Sequence, residues 1–158
     1  MNSMKTIMVQ MSDTHWTLEA MHLASAIARR MDGQVVLLRL VLANNPGSLG
    51  WGITPPDTKV NAQVSGYAAI AEDYGVAFCV QPMHFINEVD ALVQAAQALD
   101  VSIMFAHLPP HRVPFLRQFQ LRHLKRQLGS CRLYTLDEEQ PLTIDELMPA
   151  ARPLSHSL

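Results

Sequence analysis

Residues 5–42, KTIMVQMSDTHWTLEAMHLASAIARRMDGQVVLLRLVL, decide how this chain folds. Lys5 to Met11 is a short run rich in Ile, Val and Met, and the polar cluster Ser12, Asp13 and Thr14 that ends it supplies N-cap candidates for a helix. Ala20, Ala24, Ile27, Ala28 and Met31 then recur at i, i+4, i+7, i+8 and i+11, one stripe of a 3.6-residue period. Gly33 stands where a C′ glycine ends such a helix. Gln34 to Leu42 is apolar on both faces apart from Arg39, as a strand covered by helices on both sides is. Strand, helix and strand in this order make a βαβ unit, whose crossover is right-handed.

The same alternation continues outward. Ala43 to Lys59 holds three glycines, three prolines, two asparagines and Trp51, and reads as a long loop. Val60, Val64, Tyr67, Ala68, Ala71 and Tyr74 return to helical spacing and stop at Gly75; Val76 to Val80 follows as a third strand, stopped by Pro82. Asn87 with Asp90 resembles a capping box for a helix that places Val89, Leu92, Val93, Ala96 and Leu99 on one face, and Val101 to Ala106 is the fourth strand. Residues 107–116 hold three prolines and exclude regular helix, whereas Arg117 to Leu128 permits it. Cys131 to Leu136 is a fifth strand, with Arg132 marking an edge. Thr143 with Glu146 caps a short helix that Pro149 ends. The pattern predicts an α/β fold, an open parallel sheet of five strands with helices on both faces.

The 158 residues, 49% apolar and 16% charged, fit one domain and exclude a disordered chain. A sequence pI of about 6.4 argues against a global nucleic-acid footprint. That near-neutral balance conceals an uneven one. Residues 1–100 carry five basic and nine acidic side chains, residues 101–136 six basic and none acidic, and residues 137–158 one basic and five acidic. No secretory signal is apparent and no apolar run approaches a membrane span, so the chain is expected in the cytoplasm with no membrane partner. Cys79 and Cys131 are expected as free, buried thiols.

Ile7-Met8-Val9-Gln10-Met11, then Glu19-Ala20, the Ala-rich helix, Gly33 and VVLLRLV resemble the opening of the universal stress protein domain. Tyr74-Gly75-Val76, the helix through Leu99-Asp100, VSIMFA and the closing CRLYTL keep that family's order. The resemblance covers residues 4–136 and leaves 137–158 as a C-terminal tail with a short helix. It implies a Rossmann-like sheet of the adenine nucleotide alpha hydrolase type, ordered 3-2-1-4-5, and a homodimer paired through the fifth strand. In that order Cys79 and Cys131 lie at opposite edges, which excludes a disulfide between them.

ATP-binding members of the family carry an Asp at the end of the first strand and a G-x-x-G stretch followed by G-S/T after the fourth. Here the aligned Asp position is Ser12, with Asp13 beside it, and no glycine occurs between Gly75 and Gly129. The stretch HLPPHRVPFLRQF stands where the phosphate loop belongs, and its prolines remove amide donors. Two readings follow. In the first, the chain is a non-catalytic stress-response or binding protein with no cofactor. In the second, it is an ATP- or AMP-binding or anion-binding module whose remodelled pocket is lined by Ser12, Asp13, Val41, His107 and Arg112.

Other groups admit plainer roles. Arg112, Arg117, Arg122, Lys125 and Arg126 suit a phosphate or an acidic protein partner, or equally form a solvated helix face. His107 and His111 have the spacing of metal ligands, but Pro109 and Pro110 between them forbid the helix that aligns such a pair, so no metal is expected. Ser12, Asp13 and Thr14 beside His15 suggest a hydrolase, yet lack the G-x-S-x-G turn, and capping accounts for them. Trp51 either covers a pocket at the strand ends or packs at a dimer contact. Catalytic residues are not expected.

Overall fold

A computed structural model describes residues 4–42, 58–108 and 114–136. Its elements are β1 (Thr6–Gln10), α1 (Thr14–Met31), β2 (Gln34–Leu42), α2 (Thr58–Tyr74), β3 (Ala77–Phe85), α3 (Glu88–Ala98), β4 (Ile103–Phe105), α4 (Pro114–Leu128) and β5 (Arg132–Tyr134). All strand pairs are parallel, in the expected order β3-β2-β1-β4-β5. Trp51, His111, Arg112 and the tail 137–158 lie outside the described residues, as do the features expected of them.

Side chains of β1 alternate between two cores. Ile7 and Val9 pack with Ala20, Ala24, Ile27, Tyr67, Ile103 and Phe105, on the side covered by α1 and α2. Met8 joins Leu38, Leu92, Met104 and Leu124 on the opposite side, under α3 and α4. Burying an apolar side chain of this size contributes about 1.5–3 kcal/mol, so covering both faces is what makes β1 the sheet's centre.

Helix ends follow their caps with one exchange of roles. Asp13 caps α1, its Oδ1 accepting from the Trp16 amide at 2.9 Å; Asn87 caps α3, accepting from the Asp90 amide at 3.1 Å. At the end of α1 the left-handed residue is Asp32 (φ 55°) rather than Gly33. Gly33 is required for a different reason. A Cβ there would lie 2.7 Å from the Lys5 carbonyl oxygen, where α1 turns tightly into β2.

Four other expectations are corrected. β3 continues through Pro82 to Phe85, because β3 is an edge strand and a missing N–H on its open side breaks no ladder. α2 begins at Thr58, inside the stretch read as loop. α4 begins at Pro114 and not Arg117, since proline is well tolerated in a first helical turn, where its absent donor has no helical acceptor. Cys79 is exposed on that edge strand instead of buried, and Cys131 is half-buried, its thiol pushed up to about 11 by burial. Both are free. No helix among the described residues is long and apolar enough to cross a membrane.

Glycine substitutions test this packing. Gly33→Ala is expected to lower unfolding stability by about 1–3 kcal/mol through overpacking against Lys5. Gly66→Ala, in the body of α2 with open space around it, is expected to raise stability by about 0.5–1 kcal/mol. Equilibrium urea unfolding reads both; equal effects of the two substitutions would contradict the close approach at Gly33.

Candidate functional site

The sheet reverses its winding between β1 and β4. α1 carries the chain from β1 toward one edge, whereas β4 and β5 lie on the other side, so the strand ends part at this position. Open α/β sheets bind ligands at such a carboxyl-end crevice. Ser12 and Asp13 leave β1 there, and His107 leaves β4.

Three of the five residues expected at the site converge. Ser12 Oγ and His107 Nδ1 share a hydrogen bond of 2.6 Å across 95 residues of sequence. Asp13 Oδ2 stands 3.9 Å from the same ring nitrogen, with Asp13 largely exposed and His107 mostly covered. Val41 is not gathered with them. It pairs with His84 across β2 and β3, three residues beyond Leu38, the last partner of β1. Arg112 lies outside the described residues.

The convergence brings in residues that the sequence reading left out. Trp16, in the first turn of α1, stacks on His107 with ring centroids 5.1 Å apart and planes at 30°. Its indole Nε1–H donates to the Thr135 carbonyl at 2.9 Å, tying the crevice to the chain just after β5. The Ser12 amide donates to Thr17 Oγ1 at 2.8 Å, which holds the β1–α1 turn. Gln10, the buried polar residue that ends β1, accepts from the His107 amide through Oε1 at 2.9 Å. Glu88, at the start of α3, lies near enough for the Gln10 side chain to favour its carboxylate. A lone Gln closing β1 was the available sequence signal. Nothing in the sequence announced the pairing of Trp16 with His107.

The first two amide donors past β4 are taken. The Ala106 amide donates to the Tyr134 carbonyl at 3.0 Å, and the next amide, that of His107, goes to Gln10. A concavity of about 310 Å³ lies elsewhere, at the end of β3 and the start of α3, with His84, Phe85 and Asp90 in its wall.

A Ser–His pair can generate a nucleophile. Here Ser12 and Asp13 address the same nitrogen of His107, whereas a triad places its carboxylate on the opposite ring nitrogen. The geometry suits a clamp that fixes the imidazole better than a proton relay through it. The histidine that meets Ser12 is His107, its companion in the expected pocket.

What has been described is a doubly wound α/β sheet with Ser12, Asp13, Trp16 and His107 gathered at its switch point. Its fold is that of the universal stress proteins. The chain is similar to the crystal structure of a universal stress protein in complex with cAMP (TM-score 0.56, 16% identity, covering 84% of this chain and 96% of that one). It is likewise similar to a universal stress protein family member from Burkholderia pseudomallei (0.53, 17%, 82% and 92%) and to the universal stress protein from Archaeoglobus fulgidus (0.52, 15%, 87% and 90%). Neither a family model nor a curated protein matches the sequence.

Glu88 supplies a pH test of the network. Burial pushes its carboxyl above the ordinary value of 4.5, against the opposing pull of the Gln10 hydrogen bond and of His107. A raised folded-state value means that the folded protein holds the proton more tightly, so stability falls as pH rises from the unfolded value through the raised one. Glu88→Gln removes that loss. Its melting temperature relative to the parent is expected to increase between pH 4 and pH 7 in a thermal scan; a difference that shrinks with rising pH would contradict the burial of Glu88.

Proposed function

We propose that this chain is a non-catalytic, universal-stress-protein-like binding protein, its domain spanning residues 4–136, in which the nucleotide crevice has been replaced by a closed clamp. The observation that carries the reading is His107, held by Ser12, stacked on Trp16 and anchored through its amide to Gln10 at the switch point. The missing glycines after β4 support it, because they leave no flexible backbone to approach a phosphate. The protein then acts in the cytoplasm as a homodimer paired through β5. The edge position of β5 supports this pairing, since that strand leaves one side of its ladder open.

A second reading, an ATP-, AMP- or anion-binding module, is favoured by the convergence of Ser12, Asp13 and His107 at the position where such sheets bind ligands. In that case His107 and Arg112 would receive an anion in place of backbone amides. Similarity to a protein whose structure contains cAMP agrees with this reading in fold alone.

Calorimetric titration with ATP, ADP, AMP and cAMP in the presence of Mg²⁺ separates the two. A closed clamp predicts no binding up to millimolar nucleotide. Micromolar binding that Ser12→Ala or His107→Ala abolishes would overturn it in favour of the second reading. For the assembly, light scattering at tens of micromolar protein is expected to give a dimeric mass, and a monomeric mass would contradict pairing through β5.

A further inference from the structure

α4 presents two faces of opposite character. Leu124 and Leu128 are buried against the sheet, with Leu121 packed beside them. On the far side Phe119 is 68% exposed and Leu116 43% exposed. At 100° per residue, Arg122, His123 and Arg126 fall on the same sector as these two, and all three are exposed. Lys125 is exposed beside them, and no acidic residue occurs anywhere in 101–136. An outward-facing Phe ringed by cations is an unusual surface for a helix whose other face already packs.

The rest of the chain contains its complement. The 22 residues beyond Leu136 carry Asp137, Glu138, Glu139, Asp145 and Glu146 against one Arg, and the acidic pair at 145–146 is interleaved with Leu142, Ile144, Leu147 and Met148. Topology places them within reach. β5 is parallel to β4 and ends at the carboxyl edge of the sheet, the edge at which α4 begins. Leu136, the last described residue, stands at that edge with its side chain packed on the α1 side of the sheet, so the tail reaches the outer face of α4 around the edge strand β5. α4, with 15 residues, is about 22 Å long. The segment from Leu136 to Met148 spans up to about 40 Å when extended, which is ample to lie along the helix. Tethering also makes the encounter intramolecular, with an effective concentration in the millimolar range for a short connection.

We propose that the acidic tail, residues 137–158, docks on this face of α4, its Leu142–Met148 segment covering Phe119 and Leu116 while Asp145 and Glu146 meet Arg122 and Arg126. The tail thereby neutralises the basic segment and covers the exposed Phe. An acidic protein partner would reach the same face only by displacing it. The inference stands apart from the state of the His107 crevice, because none of the residues it uses belongs to that site.

Hydrogen exchange of the full chain, read by mass spectrometry on tail and α4 peptides, tests the docking. Amides 142–148 are expected to be protected in the parent protein and to exchange about tenfold faster in Arg122→Glu/Arg126→Glu, in Asp145→Lys/Glu146→Lys and in Phe119→Ser. Combining the two charge reversals is expected to restore protection, which a general loss of structure would not do. Unchanged exchange of the β1 and β2 amides confirms that each variant is folded. Three outcomes would overturn the proposal: an unprotected tail in the parent, protection indifferent to either reversal, or protection that appears only as protein concentration rises. The last would assign the face to a second copy of the chain.

Discussion

Every element of this fold answers to the double pairing of β1. All five of its residues pair with β2 on one side, Ile7, Met8 and Val9 pair with β4 on the other, and all five are buried. A central parallel strand of this kind has no face left for water, so its alternating Ile7, Met8 and Val9 require helices above and below. Because the chain winds toward β3 first and toward β5 afterwards, the connections leaving β1 and β4 pass to opposite faces of the sheet, to α1 on one and α4 on the other. The crevice follows from the topology, and any protein with this strand order has one.

What differs among such proteins is what fills it. Here β1 ends on Gln10, a buried carboxamide whose Oε1 accepts from the His107 amide and whose side chain lies beside Glu88. Buried polar groups need partners, and Gln10 obtains them by drawing the start of the β4–α4 connection and the start of α3 toward β1. His107 is then positioned for Ser12 and for the ring of Trp16, whose indole N–H reaches the Thr135 carbonyl beyond β5. Residues from β1, α1, α3, β4 and the end of β5 thus close one network over the switch point. Its cohesion lies in hydrogen bonds and stacking.

Much of the architecture was legible from periodicity. The 3.6-residue stripe of α1, the doubly apolar β2 and the capping Asn87 each gave the correct element because local pattern and tertiary role agree there. Departures occurred where a neighbour decided the outcome. Pro82 reads as a strand breaker, but the unpaired edge of β3 tolerates it. Gly33 reads as a left-handed cap, but the Lys5 carbonyl needs its missing side chain while Asp32 takes the cap. Cys79 reads as core, but β3 leaves it at the open edge. At the site, Ser12, Asp13 and His107 were legible from their positions at strand ends. Trp16 and Gln10 were not, because a contact between the beginning of the chain and a residue after β4 has no periodic signature.

Fixation of His107 is the central physical claim, and nitrogen NMR of its imidazole tests it most directly. Above the titration of the ring, a histidine clamped by Ser12 and stacked on Trp16 is predicted to hold a single tautomer, with its two ring nitrogens at well-separated shifts. Ser12→Ala is predicted to bring those shifts toward each other as the tautomers exchange. Averaged nitrogen shifts in the parent protein, unchanged by Ser12→Ala, would contradict the fixation of His107.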